Sequence, residues 1–179
     1  RALGVFGTDT WAVLPRTFVT GSLRWNASRV ASTLATADDG RAPSNTFDYR
    51  KLNPALGIAR QLDHGFTLYA NASQSNRVPT VIELGCANPE LPCRLPAGLQ
   101  SDPALDQVVA RTLEAGARWR PSAATSAWIS FYRTENRNDI LFLRAANTQQ
   151  GYFANFAKTR NQGVDAGLDR VLGPVTLNL

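Results

Sequence analysis

The chain has 179 residues, of which 44% are apolar and 18% are charged, and its formal net charge is +5. This composition excludes a disordered chain and supplies enough apolar material for one domain. The longest uninterrupted apolar runs, Trp11–Leu14 and Ile140–Leu143, contain four residues. A membrane-spanning helix needs about 20, so spanning helices are excluded. Residues 1–13 lack the apolar core of a secretory signal, and any such signal is expected outside this chain.

Apolar and polar residues alternate with a period of two along the chain, which predicts β-strands. In residues 66–73, apolar side chains occupy the even positions and polar side chains the odd ones. The same separation recurs in 17–28, 113–119 and 163–172. Turn residues then bound eight predicted strands, at 2–13, 17–28, 48–62, 66–76, 108–119, 124–135, 151–171, and from 175 onward.

Short turns and long polar connections alternate strictly between these strands. The short turns are 14–16, 63–65, 120–122 and 172–174, and the long connections are 29–47, 77–107 and 136–150. An antiparallel meander with tight turns at one end and long loops at the other is typical of an outer-membrane β-barrel. Alternation alone suits a soluble β-sandwich equally well. A soluble sandwich therefore remains an alternative at this point.

The composition of the strand faces favours the membrane barrel. The apolar faces carry aromatic residues near strand ends, where interfacial girdles lie; these are Trp11, Trp25, Phe66 and Trp119. In a barrel the polar faces, here rich in small residues, line the lumen. Four charged residues are predicted to face the lumen, paired with one another or with a plug: Arg24, Arg118, Asp165 and Asp169. Lys158 and Arg160 fall on the opposite face, beyond the stretch that contacts lipid.

The two cysteines, Cys86 and Cys93, enclose six residues that include Pro89 and Pro92. A disulfide closing this small loop is predicted, which points to an oxidising compartment. Two free thiols are the alternative. With one histidine in the chain, a zinc site is not expected.

Catalytic and nucleic-acid-binding functions find no support in the sequence. The one histidine, His64, lies in an Asp-His-Gly turn, without the pocket that a catalytic triad needs. Phosphate-binding glycine loops are absent, and the basic residues are scattered rather than clustered beside aromatics. The chain is therefore not expected to be an enzyme, to hold a cofactor or metal, or to bind nucleic acid.

An ordered series of segments resembles the barrel of TonB-dependent outer-membrane receptors. The resemblance of each segment is weak alone, but together the segments follow the order of that family across nearly the whole chain. The segments are Leu3–Trp11, Leu52–Gly57, Phe66–Ser73, Asn76–Thr80 with Glu83-Leu84, Asp102–Leu105, Glu114–Arg118, Phe131–Asn136 with Asp139-Ile140, and Asn155–Asp165.

The resemblance implies that residues 1–179 form part of a larger barrel. Barrels of this type are plugged and contain about 22 strands, whereas about eight fit here. The plug domain, the N-terminal segment grasped by the energy-coupling protein, and the final strands are expected outside this chain. The fold class expected is thus an all-β, antiparallel, up-and-down transmembrane barrel fragment.

The function implied is energy-coupled uptake of a ferric siderophore or similar bulky nutrient across the outer membrane of a Gram-negative bacterium. The implied partners are outer-membrane lipid, the inner-membrane protein TonB and the nutrient itself. Ligand binding is expected in the external connections 77–107 and 136–150. A small eight-stranded barrel serving as a membrane anchor and a soluble β-sandwich binding module are the alternatives.

Overall fold

The structure, a computed structural model, describes residues 1–33, 44–85, 105–144 and 151–179. Within these ranges the chain forms eight strands, one short α-helix, α1, and one turn of 3₁₀ helix, Asp63–Gly65. The strands are β1 (Ala2–Leu14), β2 (Thr17–Thr33), β3 (Ser44–Gln61), β4 (Phe66–Arg77), β5 (Val108–Ser122), β6 (Thr125–Arg144), β7 (Gly151–Leu172) and β8 (Val175–Asn178), and α1 is Val81–Gly85.

All eight strands belong to one antiparallel sheet in which each strand pairs with the next along the chain, in the order β1-β2-β3-β4-β5-β6-β7-β8. The predicted antiparallel meander is therefore confirmed. Two to four residues join the strand pairs at one end of the sheet, which we call the turn end. Its turns use left-handed backbone, as at Gly65 (φ 80°) and Gly173 (φ 61°), a conformation that glycine adopts at little cost. The opposite end is the loop end.

Three strands extend further toward the loop end than the sequence predicts. The β2–β3 pairing continues to Thr33 and Ser44, and the β6–β7 pairing continues to Arg144 and Gly151. The predicted connections 29–47 and 136–150 were therefore too long, and residues 136–144 are strand rather than loop. Hydrophobic alternation fades in these stretches, but backbone pairing does not require apolar side chains. Cross-strand contacts continue there, as between Phe142 and Phe153 at 5.2 Å.

The two faces of the sheet differ in chemistry, because directly opposed residues of paired strands point to the same side. One side, the apolar face, carries Val5, Leu23, Leu56, Leu68, Leu113, Phe131 and Val164. The other, the polar face, carries Thr20, Ser22, Asn71, Thr112, Glu114, Ser130 and Asp165.

Large apolar side chains lie at the surface of this sheet. Leu3 and Leu113 keep 61% and 63% of their surface exposed. Within the described ranges no second sheet covers either face, so the soluble-sandwich alternative does not describe this fold. There, β1 and β8 form the two edges of an open sheet, so a closed eight-stranded barrel does not describe it either. None of the described helices is long and apolar enough to cross a membrane.

Buried apolar residues gather at the loop end. Two hairpins, β2–β3 and β6–β7, extend beyond the shorter β4 and β5. Between them, α1 contacts both β2 and β7. A small core forms there from Leu84, Leu105, Val108 and Ile140, with Val30, Phe47 and Phe153 packed against it. This loop-end core is the main buried apolar cluster of the described sheet.

Candidate functional site

The predicted lumen residue Arg118 belongs to a polar cluster near the turn end. Its guanidinium lies 4.9 Å from the centre of the Tyr69 ring, a cation–π distance. The Tyr69 hydroxyl donates a 3.0 Å hydrogen bond to Glu114. These three side chains line a cavity of about 620 Å³. Asp169 lines the same cavity and accepts a 3.3 Å hydrogen bond from Ser126.

Arg24 belongs to a second, separate cluster on the polar face. Its Nε donates a 2.8 Å hydrogen bond to the side chain of Asn26, and its guanidinium lies 5.7 Å from the centre of the Phe6 ring. Gly4 makes room for it, because a Cβ at that position would lie 2.6 Å from an Arg24 nitrogen. Arg24, Asn26 and Gly4 line a cavity of about 360 Å³.

Side-chain amides extend this second cluster across the sheet. Asn26 and Asn53 both donate to the side-chain oxygen of Asn76, at 2.9 and 2.7 Å. Asn76 in turn donates to Gln107 at 2.9 Å, and Gln107 donates to the backbone oxygen of Arg50. Asn53 is buried, and its side-chain oxygen has no hydrogen-bond partner. The cluster therefore joins a cation to amide donors, a combination suited to an oxygen-rich ligand.

The four predicted lumen residues all lie on the polar face, but the structure does not bring them together. Arg24 and Arg118 sit in different clusters, and Asp165 lies opposite Ser130 on β6. No ion pair joins any two of these four described residues. The sequence analysis missed the amide network of Asn26, Asn53, Asn76 and Gln107, because neutral amides give no charge signal and the network joins distant segments.

The two described ends of the connection between β4 and β5, residues 78–85 and 105–107, contact strands of the sheet. Thr80 and Glu83 form a capping box at the start of α1. The Glu83 carboxylate accepts from the Thr80 backbone at 2.7 Å and from Arg77 at 2.8 Å, and the Glu83 backbone donates to the Thr80 hydroxyl at 3.3 Å. Partial burial on its own would raise the pKa of Glu83, but the hydrogen bonds from Arg77 and Thr80 outweigh it and lower the pKa below its usual value.

The apolar face ends in a row of charged residues at the loop end. Leu113 of β5 lies opposite Arg133 of β6, and the next row toward the loop end places Arg111 opposite Glu135 and Glu135 opposite Arg160. At the turn end, the aromatic pair Phe66 and Trp119 stacks at 5.9 Å. An apolar band bounded by aromatic and charged residues is the pattern of a lipid-contacting surface.

Cys86 and Cys93 lie outside the described residues, as do the parts of the expected ligand-binding connections at 86–104 and 145–150. The predicted disulfide therefore stays a prediction. Of the expected connection 136–150, the described part is strand β6, as reported above.

An antiparallel meander that exposes an apolar face and builds hydrogen-bonded clusters on its polar face is part of the wall of a transmembrane β-barrel. The sequence matches the family "TonB dependent receptor-like, beta-barrel" over residues 1–179, and the chain belongs to this family. Members of the family are outer-membrane transporters rather than enzymes. The predictions of family, fold class and non-enzymatic function are thus confirmed.

Solved structures similar to this chain are receptors and transporters. The copper transporter OprC is 22% identical with a TM-score of 0.73, and the match covers 96% of this chain and 26% of OprC. The hemophore receptor HasR of Serratia marcescens is 15% identical with a TM-score of 0.71, covering 99% of this chain and 32% of HasR. The siderophore receptor PirA of Pseudomonas aeruginosa is 17% identical with a TM-score of 0.66, covering 99% and 34%.

The chain spans about a quarter to a third of the length of these structures. At these identities the likeness supports the fold and not a shared ligand. No curated protein sequence matches the chain.

Proposed function

We propose that this chain is part of the barrel of a TonB-dependent receptor that takes up a ferric siderophore or a similar bulky nutrient across the outer membrane of a Gram-negative bacterium. The plug, the segment that contacts TonB and the remaining strands belong to other parts of the receptor. Membership of the family over residues 1–179 carries this proposal. PirA is named as a siderophore receptor, and HasR as a hemophore receptor in complex with heme.

In this proposal the polar face lines the lumen and the apolar face contacts outer-membrane lipid. Arg24, Arg118, Asp165 and Asp169 then face the interior. The amide network reaches the loop-end core, because its member Gln107 lies between Leu105 and Val108 of that core in the sequence. An anionic, oxygen-rich chelate is the class of nutrient that a guanidinium beside several amides recognises best. The connections between β4 and β5 and between β6 and β7 complete the ligand-binding surface on the cell exterior.

Growth under iron limitation tests the proposal. A strain lacking the intact gene is complemented with the complete receptor and supplied with one siderophore at a time as its iron source. At least one siderophore is expected to restore growth with the wild-type gene and to fail in a strain that also lacks TonB. Restoration by heme, with no response to any siderophore, would contradict the siderophore assignment but not the transport function.

A pair of arginine variants tests the lumen assignment. Arg24→Gln is expected to reduce uptake of the active nutrient, because it removes the cation of the second polar-face cluster. Arg60→Gln, which removes an arginine from the apolar face at the turn end, is the matched control and is expected to leave uptake unchanged. Equal uptake by the two variants and the wild type would exclude a role for Arg24 in ligand contact.

A further inference from the structure

The pairing between β3 and β4 covers only the turn-end half of the two strands. It runs from Gln61–Thr67 to Ala55–Ser73. Beyond that point β3 continues beside β2 to Ser44, and β4 continues beside β5 to Arg77. Among the described residues, the wall is therefore divided at the loop end into one part made of β1–β3 and another made of β4–β8. We call the boundary between the two parts the seam.

Pro54 explains where the pairing stops. In an antiparallel strand the N–H and C=O groups of one residue point to the same side, and successive residues alternate. The Leu52 carbonyl accepts from Gln74 of β4, and the Leu62 N–H donates to Phe66 of β4. Pro54 therefore faces β4 as well, but proline has no N–H to donate to the ladder. The seam begins at a position that the sequence sets.

Side chains rather than paired backbones join the two parts across the seam. The hydrogen bonds run from Gln74 to the Leu52 carbonyl (2.9 Å), from Gln107 to the Arg50 carbonyl (2.9 Å), from Asn53 and Asn26 to Asn76 (2.7 and 2.9 Å), and from Tyr49 to the Leu105 carbonyl (2.9 Å). Ordering a long amide side chain such as glutamine costs about as much free energy as one such bond contributes. These bonds therefore hold the two parts together less firmly than a backbone ladder would.

Apolar packing also crosses the seam at the loop end. Leu84 and Leu105, from the connection between β4 and β5, belong to the loop-end core, against which Val30 of β2 and Phe47 of β3 pack. Because the amide bonds contribute little on balance, this burial of apolar surface is the main connection between the two parts beyond Pro54. The connection depends on α1, which carries Leu84.

We propose that the seam is a hinge line of the receptor wall. The parts made of β1–β3 and β4–β8 separate at the loop end, while the paired half between Pro54 and the turn end stays intact. On opening, the side-chain amides exchange their bonds across the seam for bonds to water, at little net cost. The opening widens the loop end and admits a bulky nutrient to the lumen. That consequence rests on the proposed function, whereas the opening itself does not.

Pulsed electron paramagnetic resonance on the complete receptor in lipid nanodiscs tests the hinge. With both cysteines replaced by serine, one pair of spin labels spans the seam at Ala27 and Arg133, and a second pair spans the paired half at Val19 and Phe131. All four positions lie on the apolar face, and both pairs join β2 to β6. The first pair alone is expected to show a broad distribution, extended by up to about 5 Å, one strand spacing. Equally narrow distributions for the two pairs would overturn the hinge.

Matched variants locate the opening at the seam. Asn76→Ala removes the acceptor shared by Asn26 and Asn53, and it is expected to shift the seam-spanning distribution further toward long distances. Thr112→Ala removes a side-chain bond of 2.8 Å to Thr134 inside a continuous pairing. This control is expected to leave both distributions unchanged. Equal broadening by the two variants would indicate a general loosening of the wall and overturn the proposal.

A variant that closes the seam protects the test against misfolding. Pro54→Val restores the N–H that faces β4, so it is expected to narrow the seam-spanning distribution and to protect the new amide from hydrogen exchange. A distribution that stays broad although this amide is protected would contradict the hinge. An unprotected amide would show that Pro54 does not set the seam.

Nutrient uptake by the Pro54→Val receptor is measured separately. Uptake is expected to fall, because the closed seam narrows the loop end. Unchanged uptake with a narrow distribution would overturn the role of the opening in transport. Absence of uptake by the wild type under every condition would instead contradict the proposed function, and the spin-label distances would still decide whether the seam opens.

Discussion

The side-chain amide of Asn155 pairs with the backbone of Asp106 as a neighbouring strand would. The Asp106 N–H donates to the Asn155 oxygen at 2.8 Å, and the Asn155 nitrogen donates back to the Asp106 carbonyl at 3.1 Å. The same nitrogen donates to the carbonyl of Asn138 at 2.8 Å. One side chain of β7 thereby fixes the segment that leads into β5.

Asn155→Ala is expected to release residues 105–107 from β7. Each lost hydrogen bond costs roughly 1 kcal/mol, so amide exchange at Asp106 should accelerate at least several-fold. Hydrogen-exchange mass spectrometry of the complete receptor measures this rate on peptides that cover residues 105–107. Asn161→Ala, on the polar-face side of the same strand and exposed, is the control. Identical exchange in the two variants would show that Asn155 does not fix the segment.

The docking of α1 is expected to weaken at acid pH. The Glu83 pKa is lower in the docked helix than its ordinary value of 4.5, so the stabilisation is complete above that value and is lost as the pH falls through the docked pKa. Amide protection in residues 78–85, corrected for intrinsic exchange rates, should therefore fall between about pH 5 and pH 3.

Glu83→Gln is expected to remove this pH dependence and to lower protection already at neutral pH. Glu114→Gln changes a carboxylate far from α1 and should leave the profile of residues 78–85 unchanged. Thr80→Ala removes the hydroxyl that accepts the hydrogen bond from the Glu83 backbone. This change is expected to cost about 0.5–2 kcal/mol of docking stability. A wild-type profile that stays flat through this range would contradict the role of the Glu83 carboxylate.

Alanine variants of two glycines at the turn end allow the cost of backbone strain to be measured separately from the cost of steric overlap. Both Gly65 and Gly173 have positive φ, so alanine costs about 1–2 kcal/mol at either position. At Gly65 a Cβ would also overlap the carbonyl oxygen of Arg120, whereas at Gly173 nothing lies within 4 Å. Gly65→Ala should therefore lower the temperature of heat-dependent gel migration clearly more than Gly173→Ala. Equal shifts would mean that the turn relaxes around Gly65.

The membrane orientation predicts opposite labelling of the two ends of the sheet. In the complete receptor with Cys86→Ser and Cys93→Ser, a single cysteine is expected to react with a membrane-impermeant maleimide on intact cells when it replaces Ser44 at the loop end, or Gln100 or Gln149 in the expected external connections. Ser122→Cys, at the turn end, is expected to react only after the outer membrane is breached. The reverse pattern would invert the orientation, and equal labelling at all positions would contradict the membrane barrel.

The cysteine pair gives one further prediction. Cys86 and Cys93 are expected to be bonded in the complete receptor, so thiol reagents should modify neither residue until a reductant is added. Peptide mass analysis with and without reductant measures this directly. Labelling of both thiols under non-reducing conditions would exclude the disulfide.

The strand order and the two faces followed from sequence because they depend on local alternation. Val19, Leu23 and their neighbours mark the apolar face of β2 without any knowledge of the other strands. The sequence analysis predicted neither helix α1 nor its capping box, although Thr80 and Glu83 have the Thr-x-x-Glu spacing. The contact between Asp106 and Asn155 joins residues 49 positions apart, so it depends on the placement of β7 beside the end of the connection. The extension of β6 past Asn136 was missed because the alternation breaks there: residues 136–139 are all polar and Ile140–Leu143 are all apolar.

The position of α1 has a mechanical consequence for the wall. In the sheet, β2 and β7 are separated by four strands, yet α1 contacts both. The helix thus bridges the β2–β3 and β6–β7 hairpins, and its contacts with both fix the distance between them. Displacement of α1 removes the contacts that link the two hairpins across β4 and β5. The same displacement exposes the loop-end core around Leu84 to water. The width of the loop end therefore depends on the five residues of α1 as well as on the strands.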